Sequence, residues 1–423
     1  MSIVVRAVEL YSHLRNNFTK HTFIIAALTL IVLTILQCWL VALPWETDDP
    51  GLIGVSVGLS EVGCLIGATV LSIFPTHRRR VHVLLFLIGL SGCIIGIFAI
   101  DFHHIQEKLL LMAFTFIGIA TSIQPITAIV PVKDELQTVF NANAYAMCRQ
   151  LSYATTLVFA TTYSYFGWRY MCVMTIFLFV AASGLTWIVG HISEDGKLVE
   201  GTTPTPIREA IRILPKFVFV ILIAFSASGF TEGINNSMSV LILKEVWITA
   251  KDTAFQRTMT CPLIAVAVYP FLAYYLTYRI QFLLAMFLLG VFIVLYPLMP
   301  NAWLGFFMLI FWNIGKTCMH ASVYSVIREA TDDTSVIARL VTIEQWTCTL
   351  FYGLAGLLGG PLYNLAFWVP FVVAGAFQAV NLVASFFAFI MHDTGNPTGV
   401  NNWIKSLSKS VPRSEDHSYL ILD

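Results

Sequence analysis

The chain has 423 residues, of which 57% are hydrophobic and only 11% charged; its mean hydropathy is +0.79 and its formal net charge is zero. A soluble domain carries about 25% charged residues, so this composition excludes a soluble domain. A nucleic-acid binder is excluded as well, because no basic patch with interleaved aromatics occurs. The length is spent on many spans through a lipid bilayer.

In chain order, residues 1–21 are a short polar lead with Arg6, Arg15 and Lys20. It does not resemble a cleaved signal. The first span is predicted over 22–43, ended by Pro44 and the acidic turn Glu46–Pro50. The second, 51–73, is glycine-rich; Gly63 and Gly67, four apart, let a neighbouring helix approach closely. It carries Glu61 near its centre and runs into the basic turn Arg78-Arg79-Arg80. Spans three and four follow at 81–100 and 109–131, the fourth holding a Gln124-Pro125 kink. Spans five (143–165) and six (170–189) are joined by a turn at Phe166–Arg169. Residues 190–215 are the longest polar stretch between spans, dense in glycine, proline and threonine. Spans seven to twelve are predicted at 216–243, 258–278, 280–299, 304–327, 340–362 and 367–391, before a polar tail over 392–423.

The expected fold is therefore an all-α polytopic membrane protein: twelve transmembrane helices in two sets of six (22–189 and 216–391), joined by a cytoplasmic loop (190–215), with both termini cytoplasmic. Lysine and arginine support that orientation through the positive-inside rule. Segments on the cytoplasmic side hold 18 of the 24 basic residues and the opposite loops hold five. The one left over, Lys316, lies inside span ten. All eight cysteines fall within or beside apolar spans without CxxC or Cys/His metal spacing, so packing residues are expected, with no disulfide framework and no metal. No cofactor is expected.

Lys316 is the residue that most needs an explanation. A lysine at mid-membrane depth costs several kcal/mol unless it meets water, a carboxylate or a bound anion. Asn313 lies three residues before it and His320 four after, so all three share one helical face. Two readings stand open: an ion pair that locks helices together, or a site lining a substrate cavity. In span seven, Ser228, Glu232, Asn235, Asn236 and Ser239 form one polar stripe in an apolar helix. A carboxylate at that depth is paired or protonated, since desolvation opposes its charge. Glu232 is thus an ion-pair partner, a carrier of a transported proton, or a hydrogen-bonded structural residue. His320 suits a proton-sensitive switch; the alternative, one turn from Lys316, is a neutral imidazole that simply donates a hydrogen bond. Glu61 is either a proton relay or a gate between the halves. Glu344, near the inner end of span eleven, is expected to reach water as a gating or structural residue. Paired aspartates, a zinc pattern or a nucleophile elbow beside a span are absent from the sequence, so an enzyme is not expected.

Six spans, a polar loop and six more spans resemble the layout of the major facilitator superfamily. The likeness covers residues 22–391. Arg78-Arg79-Arg80 follows span two where that family has its signature loop, and Tyr278-Arg279 stands where the loop repeats. Gly118 to Pro125 in span four, Arg149, Gly167-Trp168-Arg169, and Gly356 with Gly359-Gly360-Pro361 add to the resemblance by their order and spacing. The family's aspartate ahead of the basic pair is missing, Pro75-Thr76-His77 standing in its place. Span five lacks the antiporter pattern, which argues against a multidrug antiporter. No subfamily is identified.

The resemblance implies a secondary transporter whose two bundles rock about a midplane site, with spans one, four, seven and ten lining the cavity. Substrate contacts are then expected from Lys316, Glu232, Asn235, Asn236, Asn313, Gln37 and Gln124. Proton coupling is expected through Glu232, His320 and Glu61, and loop gating through Arg78, Arg79 and Arg80. A small polar organic solute, anionic or zwitterionic at the end that meets Lys316, fits this set; protons are the coupled partner. The alternative is a non-transporting receptor, chaperone or trafficking protein of the same fold.

The tail carries an acidic dileucine pattern, Asp416 with Leu420-Ile421, overlapped by a tyrosine-based one, Tyr419 with Leu422. Both resemble signals read by cytosolic clathrin adaptors. They predict an endosomal or lysosomal membrane, with the plasma membrane as the other address.

Overall fold

The computed structural model describes residues 20–73, 78–99, 101–102, 105–122, 151–152, 155–156, 159, 163–187, 212, 215–331 and 334–395. Gln124, most of span five, nearly all of the central loop and the sorting residues Asp416, Tyr419, Leu420, Ile421 and Leu422 lie outside them. Arg78, Arg79 and Arg80 begin a helix, but only the Arg80 side chain is described; it is exposed.

The described residues are helical, with no strand among them. The N-terminal half contributes α1 (Lys20–Glu46), α2 (Pro50–Ile73), α3 (Arg78–Ala99), α4 (Gln106–Thr121) and α5 (Tyr163–Trp187). The C-terminal half contributes α6 (Lys216–Leu241), α7 (Lys251–Tyr275), α8 (Tyr278–Leu298), α9 (Ala302–Ala330), α10 (Thr334–Leu365) and α11 (Val369–Thr394). Eight of the described helices are long and apolar enough to cross a membrane. A helix satisfies its own backbone, which is what a lipid environment demands.

Several predicted boundaries move. Pro44 does not end the first span: α1 runs through it to Glu46. Proline removes one backbone donor, and the turn closes regardless, with Thr47 N donating to Leu43 O at 3.2 Å. The segment 251–257, expected in a loop, is the first two turns of α7, which ends at Tyr275 rather than 278. The expected turn at Phe166–Arg169 is present inside α5: Gly167 has φ +79°, in the left-handed region open to glycine. That turn is fastened by Trp168 Nε1 donating to Gly96 O at 2.9 Å and by an Arg169–Asp101 ion pair.

Within the N-terminal half, α2 packs on α4 at backbone contact. A Cβ on Gly118 would lie 1.8 Å from Ser60 O, and one on Gly63 would lie 2.3 Å from Thr115 O. Trp39 of α1 fills the space beside them, edge-on to Phe114 and Trp168 with centroids 5.4 and 5.1 Å away. In the C-terminal half α8 pairs with α9, and α6 lies between α10 and α11.

Among the described residues, the two halves meet chiefly along α2 and α10. Gly54, Gly58, Gly353, Gly356 and Gly360 line this seam, and a Cβ on Gly54 would lie 2.4 Å from Gly356 O. At the same end, α6 finishes in a π-turn, Ile242–Val246. From it Lys244 Nζ donates to Pro44 O at 2.8 Å and pairs with Asp48, with the Trp45 ring centroid 5.8 Å away. Lys244 thus bridges the halves where α1 turns into α2. Lys244→Ala is expected to speed labelling of Ser239→Cys, deeper along α6, by a thiol reagent that cannot cross the membrane and is added at that end. An unchanged rate would mean the bridge does not hold the end shut.

At the opposite end of the C-terminal half, Arg279 at the start of α8 pairs with Glu329 of α9 and Asp393 of α11. This junction, at the predicted repeat of the signature loop, ties three helix ends together.

Candidate functional site

Glu232 lies on the polar stripe of α6, and α9 presents Lys316 and His320 one turn apart to the same point. Lys316 Nζ is 2.8 Å from Glu232 Oε2, and His320 Nε2 is 2.9 Å from Glu232 Oε1. Each carboxylate oxygen therefore has its own nitrogen. Lys316 is 1% exposed and Glu232 fully buried. An ionised glutamate accepts from both, with the imidazole donating from Nε2 and needing no charge of its own. These three groups then sum to no net charge, which is the condition for leaving them in an apolar interior. Phe225 stands edge-on to His320 at 5.3 Å, and Lys316 Nζ sits 5.4 Å from the centre of the Trp312 ring.

Trp312 is one turn before Lys316, and it also lines a cavity between the halves. Gln37 and Val41 reach this cavity from α1, Asn235, Asn236 and Ser239 from α6, and Trp312 and Asn313 from α9. Pro262 of α7 also lines it, with the apolar Leu40, Val240 and Leu309. Its free volume is about 20 Å³, room for one or two waters. Among the described residues, the lining side chains are uncharged. Asn313 Nδ2 donates to Leu309 O at 2.8 Å, and Asn236 Nδ2 donates to the Tyr352 hydroxyl.

The residues picked out in the sequence therefore divide. Lys316, Glu232 and His320 form a buried triad. Gln37, Asn235, Asn236 and Asn313 share the cavity beside it. Lys316, expected to face a solute directly, is not among the cavity-lining residues; its charge is met by Glu232. Glu61 joins neither group. It is buried at the seam between the halves, where a Cβ on Gly353 would lie 3.4 Å from its own Cβ. Glu344 does not reach water: it is 1% exposed. It faces inward because α10 turns this side towards α6, where Ser226 Oγ donates to Glu344 O at 3.5 Å and bonds the Thr347 hydroxyl at 2.5 Å.

Trp312 was missed by the sequence reading. Its signal was its place four residues before Lys316, weak in a span so rich in aromatics. Gln378 of α11 was missed too. It is fully buried and accepts from Thr231 Oγ1, next to Glu232, at 3.3 Å.

No protein-family model matches the chain, and no curated protein matches it. Among solved structures, the crystal structure of a single-substitution variant of the nucleoside transporter NupG superposes with a TM-score of 0.64 at 13% identity. The match covers 88% of this chain and 100% of that one. The chain thus has the helical fold of a membrane transporter.

Proposed function

We propose that the chain is a secondary transporter of a small polar organic solute, built on the two-bundle plan of the major facilitator superfamily and coupled to protons. The observation that carries this reading is the buried Lys316–Glu232–His320 triad set against an uncharged polar cavity between the halves. A solute cannot fit in about 20 Å³, so binding requires the halves to move apart, as alternating access does. The likeness to a nucleoside transporter adds a fold suited to that motion.

The triad supplies the coupling. As it stands, one positive and one negative charge cancel. A proton added to Glu232 or His320 leaves an uncompensated positive charge in a buried site, which favours a rearrangement that admits water or the solute. The anionic or zwitterionic solute expected from Lys316 loses its main support, because that charge is already neutralised. A neutral polar solute agrees better with the cavity wall. Orientation with cytoplasmic termini, and an endosomal or lysosomal address set by Asp416, Tyr419, Leu420, Ile421 and Leu422 through clathrin adaptors, complete the proposal. In that setting an acidic lumen drives solute export.

The test places the protein at the cell surface by Asp416→Ala, Tyr419→Ala and Leu420→Ala, then measures uptake of pooled metabolites at acidic and neutral outside pH. Uptake is expected to rise in acid. Glu232→Gln is expected to remove that pH dependence. A surface-expressed protein that moves nothing would favour a non-transporting receptor or trafficking role; a protein that never reaches the surface would show that the tail is not its sole address.

A further inference from the structure

We propose that the cavity takes an uncharged solute group that both donates and accepts hydrogen bonds, a hydroxyl or an amide, held between Asn235 and Trp312. This rests on the transport reading and narrows its solute class. Two buried polar atoms, on residues that line the cavity, are unspent. Asn235 Oδ1 and Trp312 Nε1 have no hydrogen-bond partner among the described residues. Their side chains belong to residues 7% and 1% exposed, come from different helices, and line the same cavity. Buried polar atoms are almost always bonded, so exceptions call for an explanation. Two on one wall, one acceptor and one donor, describe the missing partner.

That partner must donate to Asn235 Oδ1 and accept from the indole N–H. A carboxylate only accepts, and its charge would be set against the Asn235 oxygen. An ammonium only donates, and leaves the indole N–H unpaired. Hydroxyls and amides do both. The rest of the wall agrees: it has no charged side chain among the described residues, and the amide groups of Asn313 and Asn236 each already donate within the protein. Lys316 stands behind Trp312, 5.4 Å from its ring centre, and is held by Glu232.

Proteoliposomes bearing the full chain test this with an equimolar pool of uridine, glucose, nicotinamide, orotate, gluconate and nicotinate. Accumulated solutes are identified by mass. Uncharged members alone are expected to accumulate. Trp312→Phe, which keeps a ring but loses the N–H, and Asn235→Leu, close in volume, are each expected to cut that uptake about tenfold. The melting temperature of solute-free Asn235→Leu should not fall, because the variant removes an unspent buried oxygen. Preferential accumulation of the carboxylates overturns the inference and leaves the transport reading standing. Unchanged uptake in both variants, with a lower melting temperature in Asn235→Leu, also overturns it and assigns the two atoms to ordered water. No accumulation of any member by the wild-type protein overturns the transport reading and this inference together.

Discussion

Lys316→Ala is expected to destabilise the protein by about 3–5 kcal/mol, the cost of removing one partner from a buried ion pair. The reason is what remains. Glu232 is fully buried, and without the ammonium one carboxylate oxygen loses its contact with Lys316 while His320 still holds the other. The pair itself is worth far less than that figure, because taking both charges out of water nearly cancels their attraction. The double variant Lys316→Met with Glu232→Met is therefore expected to unfold near the wild-type midpoint or above it. Chemical unfolding of the purified protein in detergent, with the two single variants beside the double, separates these terms. The double variant should fold yet show no acid-stimulated uptake, since both charged members of the proposed coupling site are gone. Equal midpoints for the wild type and Lys316→Ala would mean that Glu232 is not held as an ionised partner of the lysine.

Gly54→Val and Gly118→Val are expected to fail in different ways. Each glycine touches backbone: a Cβ would lie 2.4 Å from Gly356 O in the first case and 1.8 Å from Ser60 O in the second. Neither carbonyl can rotate away as a side chain does, so a helix must shift, at about 1–3 kcal/mol or more. Gly118 packs α4 against α2 inside one half, and Gly118→Val should yield protein that is not monodisperse on size exclusion. Gly54 packs α2 against α10 across the seam. Gly54→Val should leave each half folded and the protein monodisperse, yet abolish uptake, because this end can no longer close. Full uptake by Gly54→Val would show that the seam does not close during transport.

Much of the site was legible in the sequence because its chemistry is anomalous there. A lysine, a glutamate and a histidine inside apolar spans have few tolerable surroundings, and the 3.6-residue period puts Lys316 and His320 on one face of α9. The same period set Glu232, Asn235 and Asn236 on one stripe of α6. It could not say that the stripe divides, with Glu232 turned to α9 and the asparagines turned to the cavity. Glu344 shows the limit from the other side. Its place near a span end predicted contact with water, but burial depends on which face α10 presents to α6, and that is a contact between residues more than a hundred positions apart.

By itself, the sequence determined that this is a helical, membrane-type chain, through apolar segments long enough to satisfy their own backbone in lipid. It also determined where helices pack closely, since glycine four apart opens a helix face whatever its partner. Only the tertiary structure decided that one carboxylate serves both Lys316 and His320, that Trp312 adjoins Lys316 and also lines the cavity, and that Glu61 lies at the seam. Periodicity orders side chains around one helix. Which neighbour each face meets is set by packing among helices distant in the chain, and in this protein that packing turns a lone intramembrane lysine into a neutral pair beside an uncharged cavity.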